Sequence, residues 1–340
     1  EGIPIVDPLT PGQSGTLSVP MDKQWLQADV LIVEAHDPKG RLINQWSWPV
    51  KSPEKNTADI LERDVSIQVM VTVSETDQDL ILESGSVSIK ISKHDGRLKS
   101  VLSNDEELPL SNGPVFTQTP LKLNTLRHFD QEGSHHVKAL YENGSELIWT
   151  MHPGGLVDMT LNYQPEKQSS GSRGGTVPYT GASFSYPENK IKSVRYMGDG
   201  PYRVWKNRRA GVSFSVWEKP YNNTITGHSG FEYPEFKGYY SDLYWAVIKD
   251  RNEHEFTVYG KTQDLFLRLF TPGEAPVPAR TAVEHPEGDI SFMLGIPPIG
   301  TKFADAQILG PQSRGYQYLS RRVSDGALQI NLTFDFTQKN

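Results

Sequence analysis

Aromatic, cationic, amide and carboxylate side chains crowd one stretch of the sequence, from Arg195 to Trp245. Within it, Tyr202, Trp205, Tyr233 and Trp245 interleave with Arg203, Asn207, Asn222, Asp199 and Glu235. This mixture suits sugar recognition. Rings cover the apolar faces of a pyranose, while amides and charges take its hydroxyls. Asp199, Tyr202, Trp205, Glu235 and Trp245 are therefore expected to contact a carbohydrate. The competing reading makes each ring a packing element of a large β-sandwich. Hydrolysis of a glycosidic bond needs two carboxylates about 5–9 Å apart. Asp199, Glu218, Glu235 and Asp242 are the local candidates. Nothing in their order along the chain makes any pair converge, so no catalytic residue is assigned.

Other chemistries leave weaker traces. Gly198-Asp199-Gly200-Pro201 reads as a tight turn, and neither a dinucleotide fingerprint nor a Walker A sequence occurs. Cysteine is absent, which removes disulfides, thiolate nucleophiles and Cys-based metal sites. The nine histidines are scattered. His135 and His136 would point to opposite faces of a strand, and His128, His152 and His228 read as surface or hydrogen-bonded residues. No cofactor is expected, and the sequence leaves open a calcium or magnesium ion held by oxygen ligands from distant loops. No Ser–His–Asp set carries a Gly-x-Ser-x-Gly signature. Asn143, Asn222 and Asn331 begin glycosylation sequons, matches too short to weigh alone.

The elements that must position these residues read as strands. Ser66–Val73, Gly85–Ile91 and Leu156–Leu161 alternate polar and apolar side chains, and Asp95-Gly96 is a hairpin turn signal before Leu98. Later strands are expected at Val212–Trp217, Leu243–Ile248, Phe256–Tyr259, Leu265–Phe270 and Leu328–Phe334. The opening block predicts three more, at Ser14–Val19, Ala28–Ala35 and Leu42–Val50. Residues 51–64 read as a polar linker, 165–182 as an exposed Ser/Gly-rich loop, and no helix of ten residues is expected. A chain of 340 residues with 29 glycines and 24 prolines and no helical crossovers should form two sheets packed face to face. A net charge of -7 with interspersed signs argues against nucleic acid, and no apolar run reaches membrane-spanning length. The chain starts at Glu1 rather than Met, which reads as a processed or excised piece.

These residues resemble the C-terminal region of family 2 glycoside hydrolases of the β-galactosidase type. Thr10–Ser14 and Trp46–Val50 look like the end of the family's immunoglobulin-like domain. Ser88–Ile91, Asp95–Leu98 and Asn112-Gly113-Pro114-Val115-Phe116 resemble the start of its large terminal sandwich. Tyr196–Pro201 is similar to the family's Gly-x-Gly-Pro stretch, and Tyr233–Gly238 to its Pro-Gln-Glu-x-Gly stretch. Glu235 and Phe236 stand where that pattern has Gln and Glu. The resemblance spans nearly the whole chain. It implies an all-β fold: a galactose-mutarotase-like supersandwich over residues 65–340, preceded by a partial immunoglobulin-like β-sandwich over residues 1–55. It also implies that a loop near Ile296–Phe303 lends an aromatic to the catalytic pocket, with Phe303 standing where a Trp is absent.

The family's sugar-cleaving carboxylates lie in a TIM barrel. This chain has no βα alternation that could build one. The expectation is a non-catalytic C-terminal part of a β-galactosidase-like enzyme, inactive alone, stabilising the parent and shaping its carbohydrate cleft. Its partners would be a β-galactoside or related glycan and the upstream barrel of the same protein, in a periplasmic or secreted, or cell-surface, setting. The alternatives are an independent carbohydrate-binding module and a small sugar epimerase or hydrolase.

Overall fold

The computed structural model describes residues 2, 9–19, 23–63, 69–116, 121–164, 176–177, 179–225, 230–273, 283–299, 310–313, 317–318 and 328–337. The chain forms two compact units, residues 1–51 and 52–340.

In the first unit, Val30–His36 pairs antiparallel with Leu42–Pro49. The turn between them is built on Asp37, whose Oδ1 accepts the amides of Lys39 and Arg41 at 2.9 Å each. Of the three strands expected here, Ser14–Val19 forms no strand with the described residues. It has no alternation of buried and exposed residues that a partner strand could use, because all six residues are exposed.

The second unit opens with a helix, Pro53–Arg63, where the sequence reading placed a linker and no helix of that length. The start signal is local. Ser52 Oγ accepts the amide of Lys55 at 3.3 Å, Pro53 occupies the first turn, and Glu54 complements the helix dipole. Its inner face, Pro53, Asn56, Thr57 and Ile60, has helical spacing but is half polar, so the stripe does not stand out as an apolar run in the sequence. The helix packs on strand Glu255–Gly260, and Thr57 donates to the Gly260 carbonyl at 3.4 Å.

The rest of the unit is the expected supersandwich. Among the described residues, one sheet of nine antiparallel strands runs Ser213–Pro220, Ile191–Gly200, Trp245–Asp250, Glu255–Gly260, Leu328–Asp335, Leu156–Tyr163, Glu146–Met151, Ser134–Tyr141, Leu123–Gln131. The other sheet, of ten strands, runs Gly238–Tyr240, Phe266–Leu269, Ile290–Gly295, Thr180–Ser185, Ser111–Val115, Leu98–Ser103, Val87–Ser92, Asp79–Ser84, Thr72–Glu75, with Glu106–Leu108 beside Leu98–Ser103. The strand at Leu328–Asp335 lies in the middle of its sheet, bonded to Leu156–Tyr163 on one side and Glu255–Gly260 on the other.

Alternation explains which residues reach the core. Val137, Trp149, Met159 and Leu332 stand in cross-strand register and are all buried. They meet the other sheet through edge-on rings: Phe184 lies 5.7 Å from Phe334 and 6.5 Å from Trp149. The Asp95-Gly96 turn is docked inside this contact, accepting Trp149 Nε1 at Gly96 O (3.0 Å) and Tyr141 OH at Asp95 O (2.7 Å). Gly96 has φ +74, and a Cβ there would stand 2.7 Å from that of Ala139, so only glycine fits.

Several sequence expectations need adjusting. The strand expected at Ser66–Val73 begins at Thr72, and residues 64–68 lie outside the described residues. Within the expected loop, Thr176–Val177 is a short strand, Thr180–Ser185 is a buried strand of the ten-stranded sheet, and 165–175 lie outside the described residues.

Candidate functional site

Two turns carry the aromatic-rich stretch. The first leaves strand Ile191–Gly200 and runs through Pro201–Trp205, and the second runs through Tyr233–Lys237 into strand Gly238–Tyr240. They are joined where Val204 N donates to Tyr239 O at 2.7 Å. Beneath them lies an ion pair: Arg203 Nη2 stands 3.0 Å from Glu235 Oε1, with side chains 10% and 8% exposed. Lys219 Nζ donates to the carbonyls of Pro201 and Glu235, each at 2.7 Å, and stands 4.8 Å over the Tyr240 ring. Tyr240 OH donates to the carbonyls of Glu235 and Phe236 at 2.7 Å. Burial lowers the Lys219 pKa to about 8, opposed by Glu235 and assisted by Arg203. Glu235 is thus sealed in as a strut between the turns.

The rings separate into three groups. Tyr202 stacks on Tyr233 at 4.9 Å and 18°, and Tyr233 stacks on Phe231 at 5.9 Å and 28°. Tyr233 is 61% exposed and Phe231 40%, so this stack stands at the surface. Trp205 instead lies buried, edge-on to Tyr239 at 5.6 Å and beside His285 at 6.0 Å, with the Arg203 guanidinium over its ring. Burial, then the cations Arg268 and Arg203, push His285 down to about 4. A neutral imidazole accepts the Tyr239 hydroxyl at Nδ1, 2.8 Å away. Asn207 pins the next segment, donating to Ile299 O at 2.9 Å and accepting Ile299 N at 3.0 Å. Trp245 belongs elsewhere. It alternates with core residue Ala246, faces outward from the nine-stranded sheet, and carries the Arg195 guanidinium 5.7 Å over its ring. Tyr239 alternates with core residue Tyr240 on the other sheet, so Trp205 and Trp245 occupy different faces. Phe303 lies outside the described residues.

The carboxylates are also dispersed. Ser241 Oγ donates to Asp199 Oδ2 at 2.7 Å, and burial raises the Asp199 pKa. Asp242 is raised to about 6 by burial first, then by repulsion from Asp199 and Asp264, with Arg209 opposing. Glu218 is exposed in strand Ser213–Pro220, opposite Arg195. Of the four candidates, only Asp199 and Asp242 neighbour each other.

On the outer face of the nine-stranded sheet, Ser134 Oγ lies 2.9 Å from His152 Nδ1, and His152 Nε2 lies 3.1 Å from Asp158 Oδ2. This chain of contacts looks nucleophilic but acts as a lattice. Asp158 also takes Lys261 Nζ at 3.0 Å and the Thr333 hydroxyl. Burial alone would raise its pKa, but His152, Lys261 and Thr333 hold it at about 2. Ser134 itself is only 7% exposed. His135 and His136 do face opposite ways, His135 to Asp130 (2.7 Å) and His136 to Thr150 (2.9 Å). Among the described residues, no three of His, Asp or Glu gather as metal ligands. The sequon hydroxyls of Ser145, Thr224 and Thr333 are buried.

Sequence reasoning missed Tyr233, Phe231 and Lys219. For the rings a signal was present, an i, i+2 aromatic pair beside a proline. For Lys219 there was none, because the apolar alternation of Val212, Phe214 and Val216 puts it on the polar side, and only its pairing opposite core residue Val194 shows it inward.

A family model described as beta galactosidase small chain matches residues 83–269, over half of the chain. No curated protein matches. Among solved structures, a putative mutarotase (YeaD) from Salmonella typhimurium is 11% identical, covering 82% of this chain and 100% of its own, with a TM-score of 0.38. The protein HI1317 is 7% identical, covering 79% of this chain and 97% of its own, with a TM-score of 0.36. At these scores the fold rests on the strand pairing itself.

Proposed function

The chain belongs to the beta galactosidase small chain family, and from that premise we propose that it is the non-catalytic C-terminal part of a family 2-type glycoside hydrolase. In this reading it stabilises the enzyme and helps shape its carbohydrate cleft, while carboxylates on an upstream barrel cleave the sugar. The hairpin of the first unit is the remainder of an immunoglobulin-like sandwich, and the setting is periplasmic or secreted. The observation that carries the reading is the exposed stack of Tyr202, Tyr233 and Phe231, which lies within the matched residues on a rigid, ion-paired base. Such rings offer an apolar surface with hydroxyls at its rim, the pattern of a sugar contact. Asp199 and Asp242 add polar partners on the strand and turn behind the first of these segments.

The test is turnover and binding by the purified chain. It should release no product from aryl β-galactosides, β-glucuronides or β-mannosides. It should bind oligosaccharides weakly, in the millimolar range typical of a single small contact, about -4 kcal/mol. Hydrolysis by the chain alone, lost in Asp199→Asn or Asp242→Asn, would overturn the non-catalytic reading. The same stack supports a second reading, an independent carbohydrate-binding module, and micromolar affinity in the isolated chain would favour it.

A further inference from the structure

Tyr202 and Tyr233 are 31 positions apart and come from turns with no strand pairing at the rings themselves. Something must set their spacing. The residue before Tyr202 is Pro201, whose carbonyl takes Lys219 Nζ, and the residue after it is Arg203, which pairs with Glu235. Glu235 follows Tyr233 by two positions, and its carbonyl takes the same Lys219 ammonium. Lys219 is 3% exposed and comes from a third element, strand Ser213–Pro220. One ammonium therefore bridges the two turns from beneath, while the ion pair bridges them again from Arg203, two residues after Pro201, to the same Glu235.

We infer that Lys219 is a positioning residue: by tying the Pro201 and Glu235 carbonyls together, it holds Tyr202 against Tyr233 in the stacked geometry that receives a saccharide. The inference rests on the carbohydrate reading for the ligand, but the effect on the rings is independent of it. Its ammonium is suited to the task because it can direct separate N–H donors at two carbonyls from one point, and charge-assisted hydrogen bonds are the stronger kind. The Lys219 ammonium donates to backbone carbonyls and lies over the buried Tyr240 ring, so its influence on binding runs through backbone placement.

The experiment compares the chain with Lys219→Met, which keeps the apolar stem and loses the donors, and with Lys219→Arg, which keeps a charged donor. NMR contacts between the Tyr202 and Tyr233 rings report the stack, and titration with β-1,4-galacto-oligosaccharide reports binding. Lys219→Met should lose the ring contacts and weaken binding about tenfold, the order expected for one aromatic contact. Lys219→Arg should retain both. In a Tyr202→Ala background, Lys219→Met should change affinity no further, because its effect passes through that ring. Should Lys219→Met fail to fold, Lys219→Gln, whose shorter amide reaches one carbonyl at a time, carries the same comparison. Intact ring contacts and unchanged affinity in the folded variant overturn the inference, as does a full loss of affinity in the Tyr202→Ala background. If the unaltered chain binds no oligosaccharide while Lys219→Met still loses the ring contacts, the strut stands and the carbohydrate reading falls.

Discussion

Replacing Glu235 by glutamine removes one charge from an ion pair that barely reaches water. At the observed 3.0 Å, and with an effective dielectric of about 20, the two charges attract by roughly 5 kcal/mol. Desolvation cancels much of that in the intact protein. The cost of the substitution is different, because it strands Arg203 with its charge in place and with the Lys219 ammonium close by. Breaking a buried pair from one side typically costs about 3–5 kcal/mol. Glutamine still offers a neutral acceptor, so about 3 kcal/mol is expected for Glu235→Gln. Urea unfolding at pH 7 measures it as a fall in the midpoint at unchanged slope. Removing both charges, in Arg203→Met with Glu235→Met, should recover most of the loss. A change under about 1 kcal/mol for Glu235→Gln would refute the reasoning, since it would mean that water already solvates the pair. The sequence reading makes Glu235 a sugar ligand, which predicts the opposite pattern: binding lost and stability kept.

Three further outcomes follow from the same geometry. Asp242 is raised to about 6, so the favourable contribution from its protonated form is present below the unfolded carboxylate pKa and is lost as pH rises through 6. Asp242→Asn should therefore stabilise the protein by about 1–3 kcal/mol at pH 8, with a smaller gain at pH 5; equal gains at both would remove the buried charge as the cause. Tyr233→Ala should leave the unfolding midpoint within about 0.5 kcal/mol, as for an exposed side chain, yet weaken oligosaccharide binding by about tenfold or more; a large stability loss would make the stack a packing element. Gly113→Ala should destabilise by about 3 kcal/mol or prevent folding, because its Cβ would stand 2.2 Å from the Phe184 ring in the core; a melting temperature unchanged by calorimetry would contradict this.

Much of the fold was legible because burial on one face imposes a period of two. Leu156–Leu161 and Leu328–Phe334 alternate for that reason, and Asp95-Gly96 advertises a turn that only glycine can complete. The helix at Pro53–Arg63 escaped because its start lies in capping chemistry at Ser52-Pro53 rather than in an apolar stripe. The site was legible as composition but not as geometry. Alternation shows that Trp245 and Ala246 oppose each other, yet not which sheet the strand joins, so Trp205 and Trp245 looked like neighbours. Glu235 looked available because no local pattern announces that Arg203, a distant residue, closes over it.

The placement of Leu328–Asp335 bears on how the protein is made. Every other strand of its sheet precedes it in the chain, yet it occupies the middle, between Leu156–Tyr163 and Glu255–Gly260. As the ribosome emits the chain, the two halves of the sheet wait with their inner edges bare, each a template for mispairing. They can join only when residue 335 has cleared the exit tunnel. A product cut short before this strand would lose its keystone rather than a margin, and would present two open edges to proteases and chaperones. Emergence of Leu328–Asp335 thus acts as the checkpoint for the whole supersandwich, and chains truncated before Leu328 should be insoluble rather than shortened native ones.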